Sequence, residues 1–208
     1  MQRAAIEKAT DRLASAKAHL KRLDASKKYD DERRHWYDFL LSSNGAFSSL
    51  EQGSKGFGKS EAWFAKKRQE RRSDSLLCYL QHARNADEHG IRPVTELDCQ
   101  KIVMVEDGKP VAAIENVVGN TGTFRVLSDS EPNLQKINEM RIYPDRAKLI
   151  RVTDRGVAYD PPSEHLGLAI QDNGPIAVAR LMVQYIEPMI AEAGSLIPKK
   201  ANPTEGVN

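Results

Sequence analysis

The chain has 208 residues, of which 31 are Lys or Arg and 29 are Asp or Glu, so its formal net charge is only +2. This balance excludes a histone-like polycation held on nucleic acid by bulk electrostatics, but it leaves room for a local basic surface. A hydrophobic fraction of 40% is typical of a globular chain that buries a core. We therefore expect one domain, or one and a half, rather than a disordered chain.

The sequence carries no signal for export or for membrane insertion. Its first residues lack the apolar core of a signal peptide, and no apolar run is long enough to span a bilayer. The two cysteines, Cys78 and Cys99, are too few for a disulfide framework or a metal knuckle. The sequence therefore predicts a cytoplasmic protein with reduced thiols and no membrane contact.

The first ninety residues are predicted to be helical, because their apolar side chains recur at a spacing of three to four residues. The seam of the first helix consists of Ile6, Ala9, Leu13, Ala16, Leu20 and Leu23. A break at residues 25–28 leads to a second helix, whose apolar face runs from Trp36 to Leu50. Residues 53–58 are rich in glycine and are predicted to form a flexible loop between helices.

Two further helices are predicted after this loop. The third, over residues 60–72, is strongly basic. The fourth covers residues 75–89, where Ser73 or Asp74 can cap its start and Gly90 can end it.

Short β-branched runs bounded by turn residues replace the helical pattern after Pro93. The predicted strands cover residues 102–105, 111–114, 123–127 and 148–152. The Asp-Gly pair at 107–108 is a hairpin signal, and residues 154–156 predict another turn.

Helical periodicity returns over residues 175–193, where Pro188 should kink or split the helix. This helix can pack either on the bundle or on the strands, and the sequence leaves both possibilities open. The predicted fold class is α+β. Its parts are an antiparallel helical bundle over 1–95, a small strand-rich segment over 96–172, a C-terminal helix over 173–197 and a flexible tail over 198–208.

The segment from Gly53 to Ser60 matches G-x-x-x-x-G-K-S, the phosphate-binding loop of nucleotide hydrolases. That loop has to follow a buried strand, so that its backbone amides converge on the phosphates. The residues before Gly53 have helical spacing instead, and residues 1–50 show no alternation of strands and helices. A P-loop nucleotide hydrolase is therefore our third hypothesis, behind two that depend on the fourth helix.

The fourth helix ends with Arg84-Asn85 followed by His89, an Arg-Asn-x-x-x-His pattern. In this motif, and in the helical context before it, residues 5–92 resemble the HEPN domains (higher eukaryotes and prokaryotes nucleotide-binding). That context consists of a helix containing residues 39–43, a glycine-rich loop, Trp63-Phe64 and a basic stretch before residues 74–77. The resemblance does not extend to the strand-rich half.

The resemblance implies cleavage of RNA without a metal or a cofactor. That reaction needs a base for the 2′-OH, an acid for the leaving 5′ oxygen and positive charge on the phosphorane. Histidine titrates near neutral pH, and arginine offers a charged planar fork. By resemblance, Arg84 would hold the phosphate, His89 would act as base or acid, and Asn85 would position one of them. The product would be a 2′,3′-cyclic phosphate.

Arg84 and His89 point about 140° apart on an ideal helix, so they do not share a face. Either the helix loosens before Gly90, or the pair is completed across a two-fold axis, and spacing and resemblance together favour a homodimer. Asp87 and Glu88 are unfavourable beside a phosphate site, and they could instead be partners for Arg84. The other interpretation of the motif is a solvated helix end, where a cationic histidine is favourable in any case.

Five cations directly precede the motif helix: Lys66, Lys67, Arg68, Arg71 and Arg72. They suit RNA phosphates, and Trp63 and Phe64 could stack on bases. For the cations, a solvated helix face is an equal alternative. For the two aromatic residues, we favour burial in the core.

The remaining histidines do not indicate a metal site. His19, His35 and His82 lie in predicted helices without partners at ligand spacing. His82 and His89 are seven residues apart, but no Cys or third His lies nearby. His165 follows a proline-rich turn; it could be a second functional histidine, but an ordinary loop residue is the favoured interpretation.

The leading hypothesis is a HEPN-like endoribonuclease in a toxin–antitoxin or phage-defence system, with RNA and a second copy of the chain as partners. An antitoxin or a nucleotidyltransferase is the further partner that this setting implies. The alternative from a different class is a non-catalytic HEPN-like module that binds nucleotide, RNA or protein. The charge distribution fits a nucleic-acid partner for the helical half, because residues 1–95 carry 19 Lys+Arg against 13 Asp+Glu.

Overall fold

A computed structural model describes residues 1–90, 93–129 and 131–198 of the chain. Over these residues the fold is α+β, as predicted: four helices come first, strands follow, and a fifth helix comes last. The helices are α1 (Arg3–Ala25), α2 (Tyr29–Ser54), α3 (Gly58–Ser73), α4 (Ser75–His89) and α5 (Pro175–Ser195). None of these described helices has the length and apolar character needed to cross a membrane.

The strands of the described residues pair in the antiparallel direction throughout. They are β1 (Thr95–Asp98), β2 (Lys101–Glu106), β3 (Lys109–Val118), β4 (Thr121–Val126), β5 (Glu139–Tyr143), β6 (Arg146–Leu149), β7 (Val152–Asp154), β8 (Val157–Tyr159), β9 (Glu164–His165) and β10 (Leu168–Ala169). Four form one sheet in the order β4-β3-β2-β5, and the others pair as β1-β6, β7-β8 and β9-β10. A short 3₁₀ helix, Leu134–Lys136, precedes β5.

The main hydrophobic core lies between the helices. Trp36 and Phe47 of α2 and Leu80 of α4 are fully buried in it. Met182 and Ile186 of α5 belong to the same core. The C-terminal helix therefore packs back on the bundle, mainly against α1 and α2, which resolves the alternative that the sequence left open.

Helix α5 runs without interruption through Pro188, so the expected split at this residue is wrong. Pro188 is exposed to solvent, while Ile186 and Met189 on either side of it are buried. The carbonyl group that proline leaves without a partner can therefore bond to water, and burial of Ile186 and Met189 holds the residues on both sides of Pro188 against the core.

The glycine-rich segment is shorter as a loop than its composition predicted. Helix α2 continues through Gly53 and Ser54, and α3 begins at Gly58, so only three residues connect the two helices. A Cβ at Gly53 would lie 2.1 Å from the Cβ of Ala5 in α1. Glycine is required at this position because two helices approach closely there, and not because the chain turns.

Both turns predicted from Asp-Gly and Arg-Gly pairs are present. Asp107 and Gly108 have φ values of 48° and 79°, and Arg155 and Gly156 have 51° and 81°, as two-residue hairpins of this type require. The single strand predicted over 148–152 is instead divided between β6 and β7. Strand β1 was not predicted, because its four residues are mostly polar. Strand β5 was not predicted either, although Met140 and Ile142 alternate with more polar residues in it.

The strand-rich segment is fixed to the bundle by polar contacts that α2 and α4 supply. Glu32 of α2 is buried and accepts hydrogen bonds from Arg146 and from the backbone N–H of Ala147 in β6. The hydroxyl of Tyr79 in α4 donates to the carbonyl of Ile150 at 2.9 Å, between β6 and β7. This contact binds the backbone to α4 at the point where the predicted strand is interrupted.

The predicted flexible tail, residues 198–208, lies outside the described residues except for Pro198.

Candidate functional site

Helix α4 carries the motif residues and is anchored at its start. The side chain of Asp74 caps the helix by accepting the backbone N–H of Leu77 at 2.9 Å. Leu76, Leu80 and Ala83 then face the core, so the apolar face of α4 is fixed against the bundle. This orientation leaves Arg84 half-buried at the edge of the bundle.

Arg84 lines a groove between α1, α2 and α4, with a volume of about 560 Å³. Lys8 and Arg12 of α1 line the same groove, and we call these three residues and the space between them the cationic groove. The other polar lining groups are Gln2, Ser48, Ser49, Gln52 and Glu88. The structure thus brings Arg84 of α4 to one polar cavity with Lys8 and Arg12 of α1, which are distant from it in sequence.

Gly45 on α2 makes room for one of these cations. A Cβ at Gly45 would lie only 3.1 Å from Cδ of Arg12, which shows how closely the arginine side chain crosses the helix here. Within the described part of the chain, neither Lys8 nor Arg12 has an acidic group at ion-pair distance. Both charges are therefore available to an anion that enters the groove.

The charge of Arg84 is partly compensated within α4. Its Nη2 lies 2.9 Å from a carboxylate oxygen of Glu88, and its Nη1 donates to Asn85 Oδ1 at 3.1 Å. Its Nε is buried and has no hydrogen-bond partner among the described residues. Of the two acids that the sequence offered as partners, Glu88 pairs with Arg84. Asp87 instead lines a separate cavity beside Arg33, and burial raises the pKa of its carboxyl group.

Asn85 connects the motif to the strand-rich segment. Its Nδ2 donates to Asp154 Oδ2 at 2.9 Å, and the same oxygen lies 2.7 Å from His82 Nδ1. Burial acts to raise the pKa of Asp154, but the hydrogen bonds from Asn85 and His82 outweigh it and hold this pKa below its usual value. His82 also stacks on Tyr159, with ring centroids 3.7 Å apart. Asn85 therefore faces Arg84 with its oxygen and Asp154 with its nitrogen.

His89 is the last residue of α4, and its side chain lies outside the part of the chain that the structure describes. The structure therefore shows that Arg84 and His89 lie on the same helix, and the predicted pairing of their side chains stays a prediction.

The basic run on α3 is not brought together as one surface. Arg71 stacks on the ring of Phe47, 4.4 Å from its centroid, and donates to Asn44. Burial lowers the pKa of Arg71 to about 10. Lys67 lies 3.1 Å from Glu192, and Arg68 lies 2.7 Å from Glu51.

Only Lys66 and Arg72 of this run are exposed without an acidic partner among the described residues. Phe64 is buried in the core, as we favoured for both aromatic residues. Trp63 is only half-buried, and its Nε1 donates a hydrogen bond to Glu192 at 3.0 Å. The predicted RNA-binding run is distributed around α3 because successive residues of a helix turn by about 100°.

The segment that matches a phosphate-binding loop lacks the geometry of one. Two of its loop amides are already used: the N–H of Phe57 bonds to the carbonyl of Ser54, and that of Gly56 bonds to Glu61 at 2.8 Å. The Ser60 hydroxyl is buried, where it could not reach a bound cation. A helix, not a strand, precedes the segment.

Sequence reasoning missed two histidine environments. His165 is not an ordinary loop residue, because it is buried with its Nδ1 3.0 Å from Asp74 Oδ1. His19 and His35, for which no partners at ligand spacing were expected, lie together with Asp38, and one ligand atom from each lies within 4.8 Å of the others. The spacing of His35 and Asp38, three residues apart on one helix, was the available signal.

Comparisons of the chain with models of protein families, with curated proteins and with solved structures found no match.

Proposed function

We propose that this protein is a HEPN-type endoribonuclease that holds RNA phosphate in the cationic groove and cleaves RNA without a metal. The observation that carries the proposal is the position of Arg84, the arginine of the motif, in one groove with Lys8 and Arg12. Arginine and lysine are the side chains that bind phosphate best, and the polar lining adds amide and hydroxyl donors. The groove is large enough for a nucleotide.

The proposed reaction is an attack of the ribose 2′-OH on the adjacent phosphate. A base removes the proton from the 2′ oxygen, the bond from phosphorus to the 5′ oxygen breaks, and an acid protonates the leaving oxygen. Arg84 would stabilise the charge of the phosphorane, and His89 would act as base or acid. The products are a 2′,3′-cyclic phosphate and a free 5′-OH.

A homodimer is part of this proposal. The helical spacing between Arg84 and His89 supports completion of the site by a second copy, since the two residues leave an ideal helix about 140° apart. An RNA strand would then lie along two cationic grooves. A toxin–antitoxin or phage-defence setting, with an antitoxin or a nucleotidyltransferase as partner, follows from the resemblance of the motif.

The second candidate is a non-catalytic module that binds RNA, nucleotide or protein at the same groove. It is favoured by the contacts that the motif residues already make: Arg84 with Glu88, and Asn85 with Asp154. In this case the cations would bind the phosphate, and the carboxylates would keep the motif in a fixed, unreactive arrangement.

Incubation of the full chain with single-stranded RNA in a chelator tests the proposal. We expect cleavage by the wild type and a loss of roughly 100-fold or more for Arg84→Ala, as for removal of a group that stabilises a transition-state anion. His89→Ala should lose cleavage as well. Arg72→Ala is the matched control, because Arg72 is exposed on α3 and outside the groove.

The products distinguish the two candidates. Fragments that end in 2′,3′-cyclic phosphate support the endoribonuclease. Binding of RNA without cleavage, weakened by Arg84→Ala, would instead establish the binding module. Cleavage that survives in His89→Ala would exclude this histidine from the mechanism.

A further inference from the structure

His19, His35 and Asp38 form a compact cluster between α1 and α2, outside the cationic groove, and we call them the His–His–Asp cluster. His35 and Asp38 are three residues apart on α2 and therefore lie on the same side of the helix. Antiparallel packing of α1 and α2 brings His19 opposite them. One ligand atom from each residue lies within 4.8 Å of the other two.

The two imidazoles of the cluster have unsatisfied nitrogen atoms. Nδ1 of His19 and Nδ1 of His35 are both buried and have no hydrogen-bond partner among the described residues. The ring centroids are 6.1 Å apart and tilted by 39°, so the rings do not stack on each other. The carboxylate of Asp38 lies close, with Oδ2 at 3.5 Å from Nδ1 of His19. A cation bound among these groups would satisfy both nitrogens and the carboxylate together.

We propose that the His–His–Asp cluster binds one divalent transition-metal ion, with Zn²⁺ as the ion that fits best. Two imidazole nitrogens and one carboxylate oxygen are a ligand set that zinc takes in proteins. Bonds of about 2.0–2.2 Å in tetrahedral geometry place ligand atoms about 3.3–3.6 Å apart. The side chains would therefore close by about 1 Å through rotation about their χ angles, without movement of either helix.

The cluster leaves one coordination position open. It supplies three protein ligands, and four are usual for zinc, so water would occupy the fourth position. The side chains of His19 and Asp38 are 20% and 35% exposed, which provides a path for the ion and for this water. A bound ion would join α1 to α2 about two turns from Arg12, on the helix pair that builds the cationic groove.

Titration of the full chain with Zn²⁺ against a chromophoric chelating competitor tests the site. The protein is first freed of metal with EDTA and then dialysed. We expect one zinc ion per chain, and a loss of affinity of roughly 100-fold or more for His19→Gln, His35→Gln or Asp38→Asn, because each removes a ligand. Asp30→Asn is the matched control, since Asp30 lies on the same helix, 78% exposed and outside the cluster.

Thermal unfolding gives a second readout that does not depend on activity. Zinc should raise the melting temperature of the wild type and of Asp30→Asn in a concentration-dependent way, and should leave that of His35→Gln unchanged. Absence of zinc binding by the wild type, or zinc binding by all three cluster variants as tight as that of the wild type, would overturn the site. RNA cleavage is measured in chelator and is independent of this titration, so either proposal can fail without the other.

Discussion

At the residue scale, the carboxylate of Asp154 holds two side chains near the end of α4. Its Oδ2 lies within hydrogen-bond distance of both Asn85 and His82, and the residue is only 8% exposed. These two contacts overcome the effect of burial and lower the pKa of Asp154. Because Asn85 also accepts a hydrogen bond from Arg84, the strand-rich segment helps to position the arginine of the motif.

Asp154→Asn is expected to lower the free energy of unfolding at pH 7 by about 1–3 kcal/mol, because two side chains lose a charged acceptor. A carboxyl group whose pKa is lowered on folding stabilises the native state fully above its unfolded pKa, about 4, and loses this effect as the pH falls through the folded value. Urea unfolding at pH 7 and near pH 3 should therefore show a difference between wild type and variant that shrinks in acid.

Asp11→Asn, an exposed position on α1, is the control for this experiment and should unfold like the wild type at both pH values. A difference between wild type and Asp154→Asn that is as large near pH 3 as at pH 7 would contradict the assignment of the effect to the charge of Asp154.

At the scale of the elements, a run of cations along one helix does not show which of them form a basic surface. Contacts with neighbouring helices decide which cations stay free. The five cations of α3 are consecutive or nearly so, yet Lys67, Arg68 and Arg71 are occupied by acids or an aromatic ring of the neighbouring helices. The cationic groove combines one residue of α4 with two of α1. The helical periodicity of α1 showed its apolar seam, but it did not show which of its charges faces α4.

The groove and the basic run make different predictions for the salt dependence of RNA binding. Lys8→Ala and Arg12→Ala should each lower the slope of log K against log salt concentration by about 0.7, the value for one phosphate contact of a single strand. RNA with 2′-O-methyl groups is the suitable probe, because it lacks the nucleophile and binds without being cleaved.

Lys66→Ala and Arg72→Ala are the matched controls, since these cations are exposed on α3 outside the groove. They should leave the slope unchanged. The reverse pattern, in which only the α3 variants lower the slope, would place the nucleic-acid interface on α3 and remove support from the groove.

At the scale of the whole molecule, strands β6 and β7 share a hydrophobic core with the bundle and α5. Leu149 of β6, Val152 of β7 and Val94, which precedes β1, are buried in the same cluster as the helical side chains. Glu32 fastens β6 to α2 from within, since it is only 2% exposed and accepts two hydrogen bonds from that strand. The secondary structure therefore changes at residue 95, and strands β6 and β7 beyond that point pack into the core of the helices.

Glu32→Ala should release β1 and β6 from the bundle before the helices unfold. We expect a cost of about 1–3 kcal/mol, because the backbone N–H of Ala147 loses its buried acceptor. Native-state hydrogen exchange should show lower protection for amides of β1 and β6, with protection in α1 retained.

Glu96→Ala is the matched control, because Glu96 lies on β1 and pairs with Lys148 of β6 in an exposed ion pair. Such surface pairs contribute about 0–1 kcal/mol. Equal loss of protection in α1 and β6 of Glu32→Ala would show instead that the two parts unfold together.

The sequence by itself determined the α+β class, the extent of α4, a cap at Ser73 or Asp74, which the structure assigns to Asp74, and the hairpin turns at residues 107–108 and 155–156. Each of these depends on interactions between residues a few positions apart, such as a capping carboxylate or a pair that adopts positive φ. Local chemistry is sufficient to specify such features, which explains why the pattern of residues predicted them.

Only the tertiary structure decided that α5 packs on the bundle, that Arg84 shares a groove with Lys8 and Arg12, and that His19 meets His35 and Asp38. These meetings depend on the rotation of each helix about its axis and on its distance from its neighbours. Both are set by how large side chains such as Trp36 fill the core, and no spacing within a single helix contains that information.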